Sequence, residues 1–225
     1  MAAFSMTKKR ANKILRVLRK EFELPNWRGK QRDTFKTLIR TVISQNTASR
    51  NTARAFEKLS RKSEITPEAL SKARVAEIED ALKIAGLYRN KARTIKKLSQ
   101  IILEDLEGSL DFIFKLPLEQ AREKLLKLPG VGPKTADVVL LFNAKKPVLP
   151  VDTHVNRVSK RLKFVSARAN YEDVRMGLQM LFNPHDYYAV HVLIILHGRK
   201  YCKAKNPLCM QCPINEWCPS KQIKH

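Results

Sequence analysis

Apolar residues return along most of this chain with the period of a helix. After Phe35 they recur at Leu38, Ile39, Val42 and Ile43, one helical face, with Asp33 before them as an N-cap. Ile14, Leu15, Leu18 and Phe22 form a second stripe, which Pro25 ends. Thr66-Pro67-Glu68 reads as a helix start with proline at the first helical position. Further helices are predicted near 51–60, 74–84, 89–106, 118–127, 133–144, 153–162, 170–181 and 186–198. The apolar stretch Val192 to Leu196 fits a strand by periodicity alone, but its flanks favour a buried helix. Connections are short and carry Gly or Pro. No series of alternating strands, low-complexity segment or simple repeat interrupts them, so the expected fold class is all-α.

Charge adds a partner to this picture. The chain has 44 Lys and Arg against 21 Asp and Glu, a net charge of +23. Such an excess is costly through self-repulsion and points to a polyanion: nucleic acid first, an acidic membrane second. A basic protein bound to ribosomes, or merely soluble, is the plainer alternative. The basic residues are spread over many segments, which suits a folded basic surface better than a disordered arm. The length of 225 residues accommodates two modest domains or one large one. No apolar run approaches the roughly 20 residues needed to span a bilayer. The start from Met1 to Met6 is too short, and too soon followed by charge, for a secretory signal. The expectation is therefore no membrane, and a reducing, cytoplasmic or nucleoid-associated setting.

Three features carry candidate chemistry in the body of the chain. In Leu128-Pro129-Gly130-Val131-Gly132-Pro133-Lys134-Thr135-Ala136-Asp137, one helix enters a Gly-x-Gly turn and another begins at Pro133. Glycines at Gly130 and Gly132, flanking Val131, permit positive φ and close approach of another molecule. Backbone N–H groups at the new helix start can then hold a phosphate, a grip on a DNA backbone that does not read sequence. A tight helix–helix turn without a ligand is the alternative. Lys134 sits in the first turn of that helix, where the positive helix end disfavours a protonated amine and partial burial would add to the effect. A neutral amine can form a Schiff base at a sugar carbon; an exposed phosphate-binding lysine is the alternative. In Pro150-Val151-Asp152-Thr153-His154-Val155, Asp152 precedes a helix. It is at least an N-cap, and its carboxylate could also stabilise positive charge developing on a sugar during base loss. His154 reads as structural.

The fourth feature is Cys202-x6-Cys209-x2-Cys212-x5-Cys218, which holds all 4 cysteines of the chain. Clustering in a chain with no evident signal argues against a disulfide framework and for a metal centre. The spacing alone leaves zinc and an iron–sulfur cluster both open. Pro207, Pro213 and Pro219 suit a tight irregular loop.

Together these segments resemble the endonuclease III family of the helix-hairpin-helix DNA glycosylase superfamily, over most of the chain from about residue 30 to Cys218. Ser44-Gln45-Asn46-Thr47 is similar to the family's first DNA-intercalating loop. Gly86-Leu87-Tyr88-Arg89-Asn90-Lys91-Ala92 is similar to its second. His197-Gly198-Arg199 stands before the first cysteine, as in the family. The resemblance implies two helical lobes with a cleft between them: a six-helix lobe over 31–147 carrying the hairpin, and a lobe of 1–30 plus 148–225 carrying the cysteine loop. It implies Lys134 as catalytic amine and Asp152 as catalytic carboxylate. Gln45 would fill the gap left by a flipped nucleotide and Leu87 would wedge the opposite strand. The four cysteines would hold a [4Fe–4S] cluster, and Lys203 and Lys205 would touch DNA phosphates. The implied activity is that of a bifunctional DNA glycosylase and abasic-site lyase. It would act as a monomer on double-stranded DNA containing damaged bases, oxidised pyrimidines above all, or abasic sites. Asn46-Thr47-Ala48 departs from the usual wording of the first loop, where an acidic residue often follows the threonine; this bears on the lesion more than on the chemistry. Adenine and thymine-mismatch glycosylases of the superfamily lack a lysine at the position of Lys134, and 8-oxoguanine glycosylases usually lack the cysteine cluster. A mismatch or 8-oxoguanine enzyme, a non-catalytic protein that binds DNA structure, and an RNA-binding zinc protein are the alternatives.

Overall fold

The computed structural model describes residues 2–25 and 33–221, and every regular element among them is helical. By its contacts the chain divides into two compact units: residues 30–146, and residues 1–29 with 147–225.

The first unit contains α2 (Thr34–Ser44), α3 (Ser49–Lys62), α4 (Pro67–Lys72), α5 (Val75–Leu82), α6 (Tyr88–Asp105), α7 (Phe112–Lys115), α8 (Leu118–Leu126) and α9 (Pro133–Phe142). Asp33 caps α2, its carboxylate accepting from the Lys36 N–H at 3.0 Å. Thr66 caps α4 in the same way, with Pro67 in the first turn. Helix α6 is the centre of this unit and packs on α2, α4 and α5. It buries Ala92, Ile95, Leu98 and Ile102, and a fully buried Ile or Leu contributes about 1.5–3 kcal/mol. Helix α7 has no sequence signature, because four residues are too few to show a period. It is held by Ile113, which is fully buried.

The second unit contains α1 (Ala2–Glu21), α10 (Thr153–Arg161), α11 (Tyr171–Leu181) and α12 (Tyr187–Lys200). The stretch Val192 to Leu196 lies within α12, a helix that buries residues from Tyr187 to Gly198 on several sides. All-round burial explains why its periodicity is ambiguous. A Cβ at Gly198 would lie 3.0 Å from His154 Nδ1, so α10 and α12 come close at this point. None of the described helices is long and apolar enough to cross a membrane.

Candidate nucleic-acid interface and active site

Helices α8 and α9 form the hairpin. The Val131 N–H closes the turn on Leu128 O at 3.1 Å, and the Thr135 and Ala136 N–H groups return to Gly132 O. Only one of the two glycines uses the left-handed region. Gly130 has φ +73°, and a Cβ there would fall 2.3 Å from Thr94 Cγ2 of α6. Gly132 has φ −89°, with nothing within 4 Å of where its Cβ would be. Internal packing therefore demands glycine at 130 but not at 132, where the backbone is left open to approach from outside. Helix α9 starts on Gly132 with no side-chain cap, unlike α2, α4, α10 and α11, so no side-chain oxygen competes for its first N–H groups. A buried ion pair, Arg122 Nε to Asp137 Oδ1 at 2.7 Å, ties α8 to α9 behind the turn.

Lys134 is the second residue of α9 and is half-buried. Asp152 belongs to the other unit, as N-cap of α10, where its Oδ1 accepts from the Val155 N–H at 2.8 Å. Among the described residues no donor serves its Oδ2. One carboxylate oxygen thus holds the start of the helix.

The two loops singled out in the sequence meet each other and the hairpin. Gln45, at the C-terminal end of α2, donates from Nε2 to Gly130 O at 2.8 Å. Leu87 precedes α6 in the left-handed conformation, φ 47°, and is 60% exposed. Asn46, beside Gln45, also has positive φ, 51°. The left-handed conformation costs a leucine roughly 1–2 kcal/mol and an asparagine less. Beneath the loops lies Lys91, a residue of the second loop's segment to which the resemblance attaches no role. It is 5% exposed, and its Nζ donates to Ile43 O at 2.9 Å, Thr47 Oγ1 at 2.5 Å and Ala85 O at 2.8 Å. Burial pulls its ammonium below the ordinary lysine range. A signal for it exists in the chain: Lys91, Ile95, Leu98 and Ile102 follow one helical stripe, and a lysine on a core stripe needs an explanation.

In the other unit, Cys202, Cys209, Cys212 and Cys218 are free thiols lining one cavity beside α10 and α12. Four thiols around one cavity suit a cluster whose irons take one thiolate each. Burial pushes the Cys212 thiol up to about 11 and raises Cys218 too. Thiols so placed ionise readily only for a strong local cation, which cluster iron supplies. Two arginines of α10 hold the loop. Arg157 Nε donates to Cys202 O at 3.0 Å, and Arg161 Nη1 donates to Lys203 O at 2.7 Å and to Cys202 Sγ at 3.3 Å. Lys203 and Lys205 stand exposed on the loop.

The HhH-GPD superfamily of base excision DNA repair proteins matches residues 39–184 of this chain, which include the hairpin. The iron–sulfur binding domain of endonuclease III matches residues 202–218. The chain belongs to the endonuclease III family. It is 35% identical to endonuclease III of Sulfolobus acidocaldarius, covering 92% of this chain and 95% of that protein. It is 40% identical to endonuclease III of Thermotoga maritima, covering 84% of each. Among solved structures, a trapped endonuclease III–DNA covalent intermediate superposes with a TM-score of 0.83 at 32% identity, covering 95% of this chain and 96% of that one.

Proposed function

We propose that this protein is a base-excision-repair DNA glycosylase and abasic-site lyase. The observation that carries the reading is Lys134 at the start of an uncapped hairpin helix, behind a backbone left open at Gly132. The hairpin, with Val131 at its tip, grips phosphates, and the exposed Lys203 and Lys205 add to that grip. A damaged base costs less to unstack and is flipped from the duplex; Gln45 fills the gap and Leu87 wedges the opposite strand. The carboxylate of Asp152 supports the positive charge that develops on the sugar as the base leaves. The Lys134 amine bonds to the sugar C1′, and the ring opens to a Schiff base. Loss of a C2′ proton then breaks the C3′–O bond, the 3′ phosphate leaves, and water releases Lys134. Cys202, Cys209, Cys212 and Cys218 hold a [4Fe–4S] cluster, which orders the loop bearing the two lysines. The preferred lesion is an oxidised pyrimidine in double-stranded DNA, and the protein acts as a monomer on cellular DNA.

Borohydride trapping on a duplex with an abasic site tests the scheme. The native protein should form a covalent adduct. Lys134→Ala should form none while still binding the duplex, because the glycines and the basic surface remain. Asp152→Asn caps a helix about as well as Asp, so folding should persist while base excision falls by about two orders of magnitude or more. Trapping that survives in Lys134→Ala, or near-normal excision by Asp152→Asn, would remove that residue from the mechanism. A panel of duplexes with oxidised pyrimidine, uracil, mismatched thymine and 8-oxoguanine identifies the lesion.

A further inference from the structure

We propose that Lys91 is a positioning residue that locks the two DNA-probing loops into one register, so that Gln45 and Leu87 enter the duplex together. The inference rests on the proposed roles of those two residues. The three acceptors of Lys91 come from three places that bound the loops. Ile43 O is a carbonyl at the end of α2, where helical C=O groups lack partners. Thr47 Oγ1 closes the loop that begins at Gln45. Ala85 O belongs to the turn that leads into Leu87. Three oxygens match the three N–H bonds of an ammonium, so the charged form fits the site. The Thr47 hydroxyl in turn donates to Ala85 O, joining the loops directly as well. Lys91 also follows Leu87 by one helical turn, its backbone N–H bonded to Leu87 O at 3.1 Å.

A lysine is a poor choice if the site needs only filling. Its burial is costly, and a methionine of similar length would fill the space without stranding a charge. What methionine cannot do is hold three carbonyl and hydroxyl oxygens of separate segments at one point. Both loops turn through the left-handed region, at Asn46 with φ 51° and at Leu87 with φ 47°, and for leucine that conformation is strained. Such conformations persist only where the surroundings over-determine them. Lys91 supplies that constraint. The flipping step should therefore depend on it, and the chemistry at an already exposed sugar should not.

The test uses the full cluster-loaded protein and two substrates: a duplex with an oxidised pyrimidine paired opposite a normal base, and a duplex with a preformed abasic site opposite a missing nucleotide. Single-turnover excision and borohydride trapping are measured for native protein, Lys91→Met, Thr47→Val and Thr47→Ser. Losing a charge-assisted hydrogen bond should slow excision of the paired base by about tenfold or more in Lys91→Met. Trapping at the preformed site, where unstacking is not required, should change by less than about threefold. Thr47→Val should show the same split, and Thr47→Ser, which restores the hydroxyl, should recover native rates. A Lys91→Met variant that also carries Leu87→Ala should lose little more than either alone, since both act on one step. Equal losses on both substrates, or no loss in either Lys91→Met or Thr47→Val, would overturn the proposal. If Lys91→Met fails to accumulate as folded protein, the Val and Ser pair at Thr47 decides alone. Native protein that neither excises nor traps would instead overturn the function on which the proposal rests.

Discussion

Gly130→Ala isolates what the hairpin turn requires of its sequence. The substitution meets two separate penalties. The backbone sits at φ +73°, where an L-residue costs about 1–2 kcal/mol. The new Cβ would stand 2.3 Å from Thr94 Cγ2, against an ordinary carbon–carbon separation of about 3.5–4 Å, and overpacking of this kind costs about 1–3 kcal/mol. Together they predict a loss of about 2–5 kcal/mol. The parts separate in a Thr94→Ala background. There the nearest remaining contact is Thr94 Cβ at 3.6 Å, so only the backbone term of about 1–2 kcal/mol should persist. Urea denaturation followed by circular dichroism gives the four stabilities of the cycle. Gly132→Ala is the control. At φ −89° with no neighbour within 4 Å it should meet neither penalty and lose at most about 1 kcal/mol, the cost of alanine at a helix N-cap, yet weaken binding to duplex DNA. A Gly130→Ala penalty unchanged by Thr94→Ala would refute the steric part of this reasoning. A Gly132→Ala protein with normal DNA affinity would refute the view that this backbone is open for a partner.

Purified protein should be brown with about four irons per chain, and stripping the metal should disorder the segment from Cys202 to Cys218, seen as loss of protection from proteolysis; colourless protein with one zinc would contradict this. Arg122→Met removes one side of the buried ion pair with Asp137 and should destabilise by up to about 3–5 kcal/mol, part of it recovered by adding Asp137→Leu; a single variant within experimental error of native stability would show that the pair does not brace α8 against α9. Burial, the largest influence, holds His154 below its ordinary value, and its Nδ1 faces Arg157 Nη2 at 3.0 Å, a donor that requires a neutral ring. Below the ordinary histidine pKa the unfolded chain therefore binds more protons than the folded one, so stability present at neutral pH declines on acidification. Melting curves at pH values either side of about 6.5 should show a smaller pH dependence for His154→Gln than for native protein, and an equal dependence would return the effect to other groups.

The local regularities of this chain are legible in its sequence. Helices follow from apolar residues three and four positions apart, and their starts from Asp33 and Thr66-Pro67, because caps and faces are fixed within a turn or two of backbone. The cysteine spacing and the hairpin glycines are likewise short-range patterns. Even so, Gly130 and Gly132 look equivalent along the chain, and only packing separates them: Thr94 of α6 stands over one and not over the other. Lys91 is one of 44 basic residues, and its partners Ile43 and Thr47 lie 48 and 44 positions away. No periodicity along a chain records a contact at that separation. Arg157 and Arg161 are similar: on the sequence they are ordinary helix cations, and in space they clamp backbone 41–45 residues downstream. The tertiary structure decided which of many charged side chains are buried and against what, because that depends on where helices cross and not on the order in which residues occur.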